Sequence, residues 1–325
     1  MNARQKLFAR VILTVFVFVC FFTLFSGKVH ASGNSTARPR SGSKMPLRIS
    51  VQDNHGNGIA SSDAHTSSTV TSAELTFNHE YQPGDHIVIR GPQNFAVKLD
   101  ETFPDCLLYL PDSSLGKFDY ELPFGRAEQQ TGSAYAPESF AGNSHRVTAR
   151  VLTRNERTGY RNLALNPCDS VLQKDAPTLA FPHSITNSYA RNLFDFAARN
   201  AIDGVAQNGH HGVWPYQSWG PEMLPELWWK LDFGRSVELD KIRLMIRADF
   251  PHDSYWKNAV VEFSDGTLLP IQITSSADFQ EFSFPRRKVS WFRITKLAPA
   301  DPTKWCSYIE VEAWGHDLPS DADAR

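Results

Sequence analysis

The sequence predicts an all-β chain folded as two antiparallel β-sandwich domains. Three observations carry this: apolar side chains alternate with period two over most of the chain, turn residues interrupt the alternation at short intervals, and no long stretch combines helical periodicity with caps at both ends. The composition agrees, since Phe 22, Tyr 9 and Trp 8 together with Pro 20 and Gly 19 suit short strands joined by turns.

A length of 325 residues accommodates two domains of ordinary size. With charged residues at 21% and a formal net charge of −2, wholesale disorder and a nucleic-acid footprint are both excluded as readings. Residues 1–31 read as a signal peptide, because Arg4, Lys6 and Arg10 precede the apolar run Val11 to Phe25, and Val29-His30-Ala31 ends on a small residue. The run is short of the roughly 20 apolar residues that cross a bilayer, so membrane contact is expected only through an uncleaved signal anchor. Cys20 lacks the small neighbour that lipid processing prefers. The expected location is secreted or cell-surface.

Residues 32–45 are rich in Ser, Gly, Arg and Pro and form a flexible linker, in which Asn34-Ser35-Thr36 reads as a chance triplet. Residues 46–158 form the first sandwich. Its inward faces are Leu47/Ile49/Val51, Leu75/Phe77, Ile87/Ile89, Phe95/Val97/Leu99, Phe118/Tyr120/Leu122 and Val147/Ala149/Val151. Turn chemistry separates them, as in Asn54-His55-Gly56-Asn57-Gly58 and Pro83-Gly84-Asp85. Polar residues from Glu156 to Arg161 mark a joint. The second sandwich spans 159–316, with Ile242/Leu244/Ile246, Leu269/Ile271/Ile273 and Phe282/Phe284 inward and Asp265-Gly266 turning a hairpin; a polar tail occupies 317–325.

Three cysteines follow the signal segment, and none shows close zinc-finger spacing. Cys168 and Cys306 lie near the two ends of the second domain, and a disulfide between them is the expectation; three buried thiols are the alternative.

In the second half, Ala198-Arg199-Asn200-Ala201-Ile202-Asp203-Gly204, then Trp228-Trp229-Lys230-Leu231-Asp232-Phe233-Gly234, then Tyr308-Ile309-Glu310-Val311-Glu312-Ala313-Trp314-Gly315 occur in that order, after an opening Asn162-Leu163-Ala164-Leu165-Asn166. The set resembles the discoidin, or coagulation-factor type C, domain of the galactose-binding-like class. The resemblance implies a jelly-roll sandwich whose loops at one end hold the ligand, often a sugar, and for the first domain a related jelly roll. It also implies a structural calcium, carried onto Asp203 and Glu310, which would need backbone carbonyls to complete six to eight oxygens. The sequence departs from the family pattern after Gly204, where Val205 to His211 replace further oxygen donors.

Sugar recognition combines an apolar ring platform with polar groups that bond hydroxyls. Two segments offer both, His210 to Trp219 and Arg247 to Trp256. In this reading Tyr255 or Trp256 is the stacking face, Arg247, Asp249 and His252 bond hydroxyls, His211 closes the pocket, and Trp214 and Tyr216 contribute from the first loop. An exposed Arg247–Asp249 ion pair is the alternative, contributing under about 1 kcal/mol. Trp219, Trp228 and Trp229 read as packing residues. His210, His211, His252 and Asp249 suggest a zinc site only if the adjacent histidines sit in a bent loop, since on a strand they point oppositely.

No H-E-x-x-H, G-x-S-x-G, G-x-G-x-x-G or phosphate-loop pattern occurs. The functional expectation is therefore a non-catalytic carbohydrate-binding protein whose partner is a glycan. The alternatives are an adhesive module with an exposed aromatic patch, and a hydrolase whose carboxylates or histidines converge between the domains.

Overall fold

The computed structural model describes residues 46–63, 65–66, 71–123, 134–173 and 179–318. The signal segment, Cys20, the linker with Asn34-Ser35-Thr36, and the tail from residue 319 lie outside them.

The alternating runs of the first half become β1 (Arg48–Gln52), β2 (Gly58–Asp63), β3 (His65–Thr66), β4 (Thr71–Asn78), β5 (His86–Arg90), β6 (Asn94–Lys98), β7 (Cys106–Tyr109), β8 (Lys117–Glu121) and β9 (Ser144–Val151). They form two antiparallel sheets, ordered β2-β1-β5-β8 and β3-β4-β9-β6-β7. Period two puts Ile49, Val51, Ile87, Ile89, Phe118 and Tyr120 of one sheet against Leu75, Phe95, Val97 and Val147 of the other, and all are buried. The expected joint holds a short helix, α1 (Arg154–Thr158). Its first turn is closed by a capping box in which Thr153 Oγ1 accepts from the Glu156 amide and the Glu156 carboxylate accepts from the Thr153 amide.

The second half adds β10 (Arg161–Asn162), β11 (His183–Thr186), β12 (Trp229–Ile246), β13 (Trp256–Phe263), β14 (Leu268–Gln272), β15 (Gln280–Pro299) and β16 (Tyr308–Asp317). Their order is β10-β16-β12-β15-β13-β14, with β11 beside the start of β12. β12 changes partners midway: residues 229–232 lie against β11, whereas residues 237–246 lie against β16. The break falls at Gly234, whose φ of 66° suits glycine and where a Cβ would come within 2.4 Å of the Phe181 ring. The sheet thereby wraps a second core that includes Trp219, Trp229, Phe233, Phe263, Phe292 and Tyr308. Asp265-Gly266 turns the β13–β14 hairpin with Gly266 at φ 85°.

Two boundaries differ from the sequence reading. β16 runs through Asp317, whose carboxylate accepts from Arg161 and Arg235, so Asp317 belongs to the sandwich rather than the tail. The chain between β10 and β11 doubles back, so that Cys168 and Ala180 pack in the first core. This overturns the expected disulfide. Cys168 bonds Cys106 of β7, with Cα atoms 6.0 Å apart, and Cys306 is a free thiol in the second core. Paired backbone bonds between Tyr109 and Phe181, both 2.9 Å, and the Arg235 guanidinium 4.8 Å from the Tyr109 ring centre add to that tie.

Candidate functional site

Three loops meet at one end of the second sandwich: 205–219 after Asp203-Gly204, 247–255 between β12 and β13, and 300–307 between β15 and β16. Backbone bonds lace them together. The Ala248 amide donates to Asn208 O at 2.8 Å, Ser254 to Trp305 O at 2.7 Å and Arg247 to Ser307 O at 3.1 Å. Lys304 Nζ adds a 2.6 Å bond to Pro251 O. A short helical segment, Ala190–Asn192, closes the remaining side through an Ala190 amide bond of 2.8 Å to Gly220 O.

The result is an open cavity of about 460 Å³, lined by Ala190, Arg191, Phe196, His211, Gly220, Arg247, His252, Trp305 and Ser307. Its floor is polar and incompletely satisfied. Ser307 Oγ is buried without a hydrogen-bond partner. Gly220 creates the space above it, since a Cβ there would stand 2.9 Å from Phe196 Cδ1 and 3.1 Å from Ser307 Oγ.

Arg247 is 4% exposed, and its Nε and Nη2 both donate to the buried carboxylate of Asp253, Nη2 at 2.9 Å. Its Nη1 has no hydrogen-bond partner among the described residues. In place of the alternative reading, an exposed pair with Asp249, Arg247 makes a buried pair with Asp253. Asp249 instead accepts from His211 Nδ1 at 2.6 Å, which holds its carboxyl below the usual range. His252 Nδ1 donates to Asp253 Oδ1 at 3.0 Å, and the His211 and His252 rings stack 4.5 Å apart, within 6° of parallel.

Of the residues expected to bind ligand, His211, Arg247 and His252 line the cavity, and Asp249 stands behind His211. Trp256 does not reach it. Its ring is 1% exposed and packs 5.3 Å from Trp219 and 4.7 Å from Tyr308. A register break between Trp256 and Asn258 inserts an extra residue in β13, turning Trp256 to the same inward face as Ala259 and Val261. Tyr255 is half-buried against the core, and Tyr216 lies 5.4 Å from the His210 ring.

Trp214, 37% exposed, lines a different cleft of about 450 Å³ shared with Phe103 and Tyr135 of the first sandwich. Among the described residues that line it, Asp203 is the only carboxylate and there is no histidine, so acidic groups do not converge there from both halves. Trp305, 36% exposed, stands with Phe196 on the first cavity's wall. Sequence reasoning missed it, although an aromatic in the polar turn Asp301-Pro302-Thr303-Lys304 was a signal. Asp253 lay within the second candidate segment without being singled out, and Ser307, Phe196 and Gly220 carried no signal.

Asp203 and Glu310 do come together. Glu310 Oε2 accepts from the Gly204 amide at 3.2 Å, while Asp203 accepts from the Val205 amide at 2.9 Å and Gln217 Nε2 at 2.8 Å. Burial pushes the Asp203 carboxyl up to about 6, and burial plus the Asp203 charge pushes Glu310 well above its ordinary value. The Arg199 guanidinium, 3.7 Å from Asp203, balances one of the two charges. Gln217 Oε1 is buried and unpartnered. Two mutually repelling buried carboxylates beside an orphaned amide oxygen fit a hard divalent cation.

No protein-family model matches the chain, and no curated protein matches it in sequence. The solved structures similar to it include carbohydrate-binding modules and lectin domains. Chitosan-binding module 1 of a chitosanase/glucanase from Paenibacillus sp. IK-5 is 19% identical, covering 48% of this chain and 99% of that one with a TM-score of 0.33. The fucose-binding module SpX-3 of Streptococcus pneumoniae is 18% identical over 47% and 96%, TM-score 0.33. The family 32 carbohydrate-binding module of C. perfringens NanJ, in complex with galactose, is 13% identical over 40% and 91%, TM-score 0.32.

Proposed function

We propose that this is an exported, non-catalytic glycan-binding protein of the discoidin-like class, with its site in the cavity between loops 205–219, 247–255 and 300–307. One observation carries the reading: a walled cavity holds an unsatisfied buried hydroxyl, Ser307, and a fixed guanidinium, Arg247, beside the half-exposed ring of Trp305. A sugar presents hydroxyls to the first two and a C–H face to the third. A walled pocket favours this over adhesion through a flat aromatic patch.

Export is supported by the Cys106–Cys168 disulfide, which persists in an oxidising compartment. Among the described residues no helix is long and apolar enough to cross a membrane. Asp203 and Glu310, with Gln217 Oε1, hold a structural calcium, which neutralises the pair and fixes the Asp203-Gly204 turn at the base of the first loop.

The test is a glycan array followed by titration calorimetry on the full chain, using neutral, amino and fucosylated sugars. Trp305→Ala and Ser307→Ala are each expected to weaken binding by about tenfold, equivalent to roughly 1.4 kcal/mol. Binding to no glycan at millimolar concentration, or binding untouched by both substitutions, sinks the proposal.

A further inference from the structure

The imidazoles of His211 and His252, which line the cavity, form with the carboxylates of Asp249 and Asp253 a second constellation, distinct from the Asp203–Glu310 pair. His211, Asp249, His252 and Asp253 each present one ligand atom, and these atoms all lie within 4.8 Å of one another. The separations are 2.6 Å for His211 Nδ1 to Asp249 Oδ2, 3.9 Å for His252 Nδ1 to the same oxygen, and 3.0 Å for His252 Nδ1 to Asp253 Oδ1. Ligand atoms around tetrahedral zinc stand roughly 3.3 Å apart, given bonds of about 2.0–2.1 Å. These three values bracket that figure, and no separation in the set, at 4.8 Å or less, has to close by more than about 1.5 Å to reach it.

We propose that His211, His252, Asp249 and Asp253 form a binding site for a divalent transition metal of the zinc type. Two imidazole nitrogens with two carboxylate oxygens suit zinc and its first-row neighbours better than calcium or magnesium, which take oxygen donors alone. The bent loop that adjacent His210 and His211 would need is present, but it turns only His211 toward His252; His210 packs beside Tyr216. The carboxylates are held ready. Arg247 clamps Asp253 from the buried side, fixing the oxygen that faces His252.

Metal binding replaces the two Nδ1–H···O bonds by metal–nitrogen and metal–oxygen bonds. The imidazole N–H of each histidine moves to Nε2, so no net proton need be released. Because four protein ligands fill a tetrahedral zinc, a hydroxyl of the bound sugar would enter as a fifth ligand, from the cavity that His211 and His252 line. This last step rests on the glycan-binding reading, whereas the metal site stands without it.

The experiment is zinc titration of the tag-free full chain by calorimetry and chelator competition, with magnesium and calcium as controls. One zinc per chain is expected, weakened by about tenfold or more in His252→Ala and in His211→Asn, and unchanged in His55→Ala, an exposed histidine of the first sandwich. His252 has a side chain 54% exposed, so its removal leaves folding intact. Absence of binding at millimolar zinc, or stoichiometric binding unaffected by both histidine substitutions, overturns the site. Glycan titrations with zinc and with chelator separate the two proposals, because zinc binding without any glycan binding removes the function and leaves the metal.

Discussion

Asp253→Ala is the sharpest probe of the site's architecture. The sequence alone left room for an exposed ion pair at Arg247, contributing under about 1 kcal/mol. The structure puts Arg247 at 4% and Asp253 at 3% exposure, with two charge-assisted bonds between them. Removing one partner of such a pair strands an uncompensated charge, which costs about 3–5 kcal/mol. That corresponds to a factor of roughly 10² to 10³ or more in the unfolding equilibrium. Replacing both groups by apolar ones, Arg247→Met with Asp253→Leu, recovers most of the loss, because neither charge is then left in the interior. Urea denaturation followed by tryptophan fluorescence, with chelator present, reads both numbers. A single variant within about 1 kcal/mol of wild type would show that water reaches the pair. A double variant no better than the single would show that the cost lies elsewhere.

Further outcomes follow from the same geometry. Removing the disulfide through Cys106→Ser should destabilise by about 4 kcal/mol on the chain-entropy model for its 62-residue separation, measured by denaturation of oxidised and variant protein side by side. Gly220→Ala forces Phe196 or Ser307 to shift, so it should cost about 1–3 kcal/mol and abolish glycan binding, read by calorimetry. Asp203 is raised from 3.8 to about 6 in the folded state, so the native protein binds its proton more tightly. Its contribution is then fully present below about pH 4 and is lost as pH rises through about 6. In calcium-free buffer, stability should fall across that window, and Asp203→Asn should flatten the fall; identical slopes in both proteins refute the assignment. At pH 7 calcium should raise the melting temperature of wild type and leave that of Glu310→Gln unchanged, checked by thermal denaturation.

The strands were legible wherever alternation ran unbroken, as in Ile49/Val51 and Ile242/Leu244/Ile246, because a period of two leaves one face for the core. The disulfide was not. It depends on the chain after β10 folding back onto the first sandwich, a non-local event with no local sequence signature. The site was half legible for the same reason. Loops 205–219 and 247–255 announced themselves through histidines and aromatics in turn-rich sequence, but Ser307 and Gly220 acquire meaning only where two loops close over them.

Trp256 and Trp305 show how small the deciding difference is. Both are tryptophans next to strands, and both flank the same end of the sandwich. Carried back from Ala259, Val261 and Phe263, strict alternation places residue 257 inward and Trp256 outward. One extra residue in the bulge between Trp256 and Asn258 inverts that parity and sends the ring into the core against Trp219 and Tyr308. Trp305 lies outside any strand, so no parity binds it, and it remains on the cavity wall where a sugar face can meet it. A bulge is set by pairing with β15 rather than by residues 256–258 themselves. Which tryptophan faces the cavity is thus a property of the sheet, and on the proposed function Trp305→Ala should lose glycan affinity while Trp256→Phe keeps it.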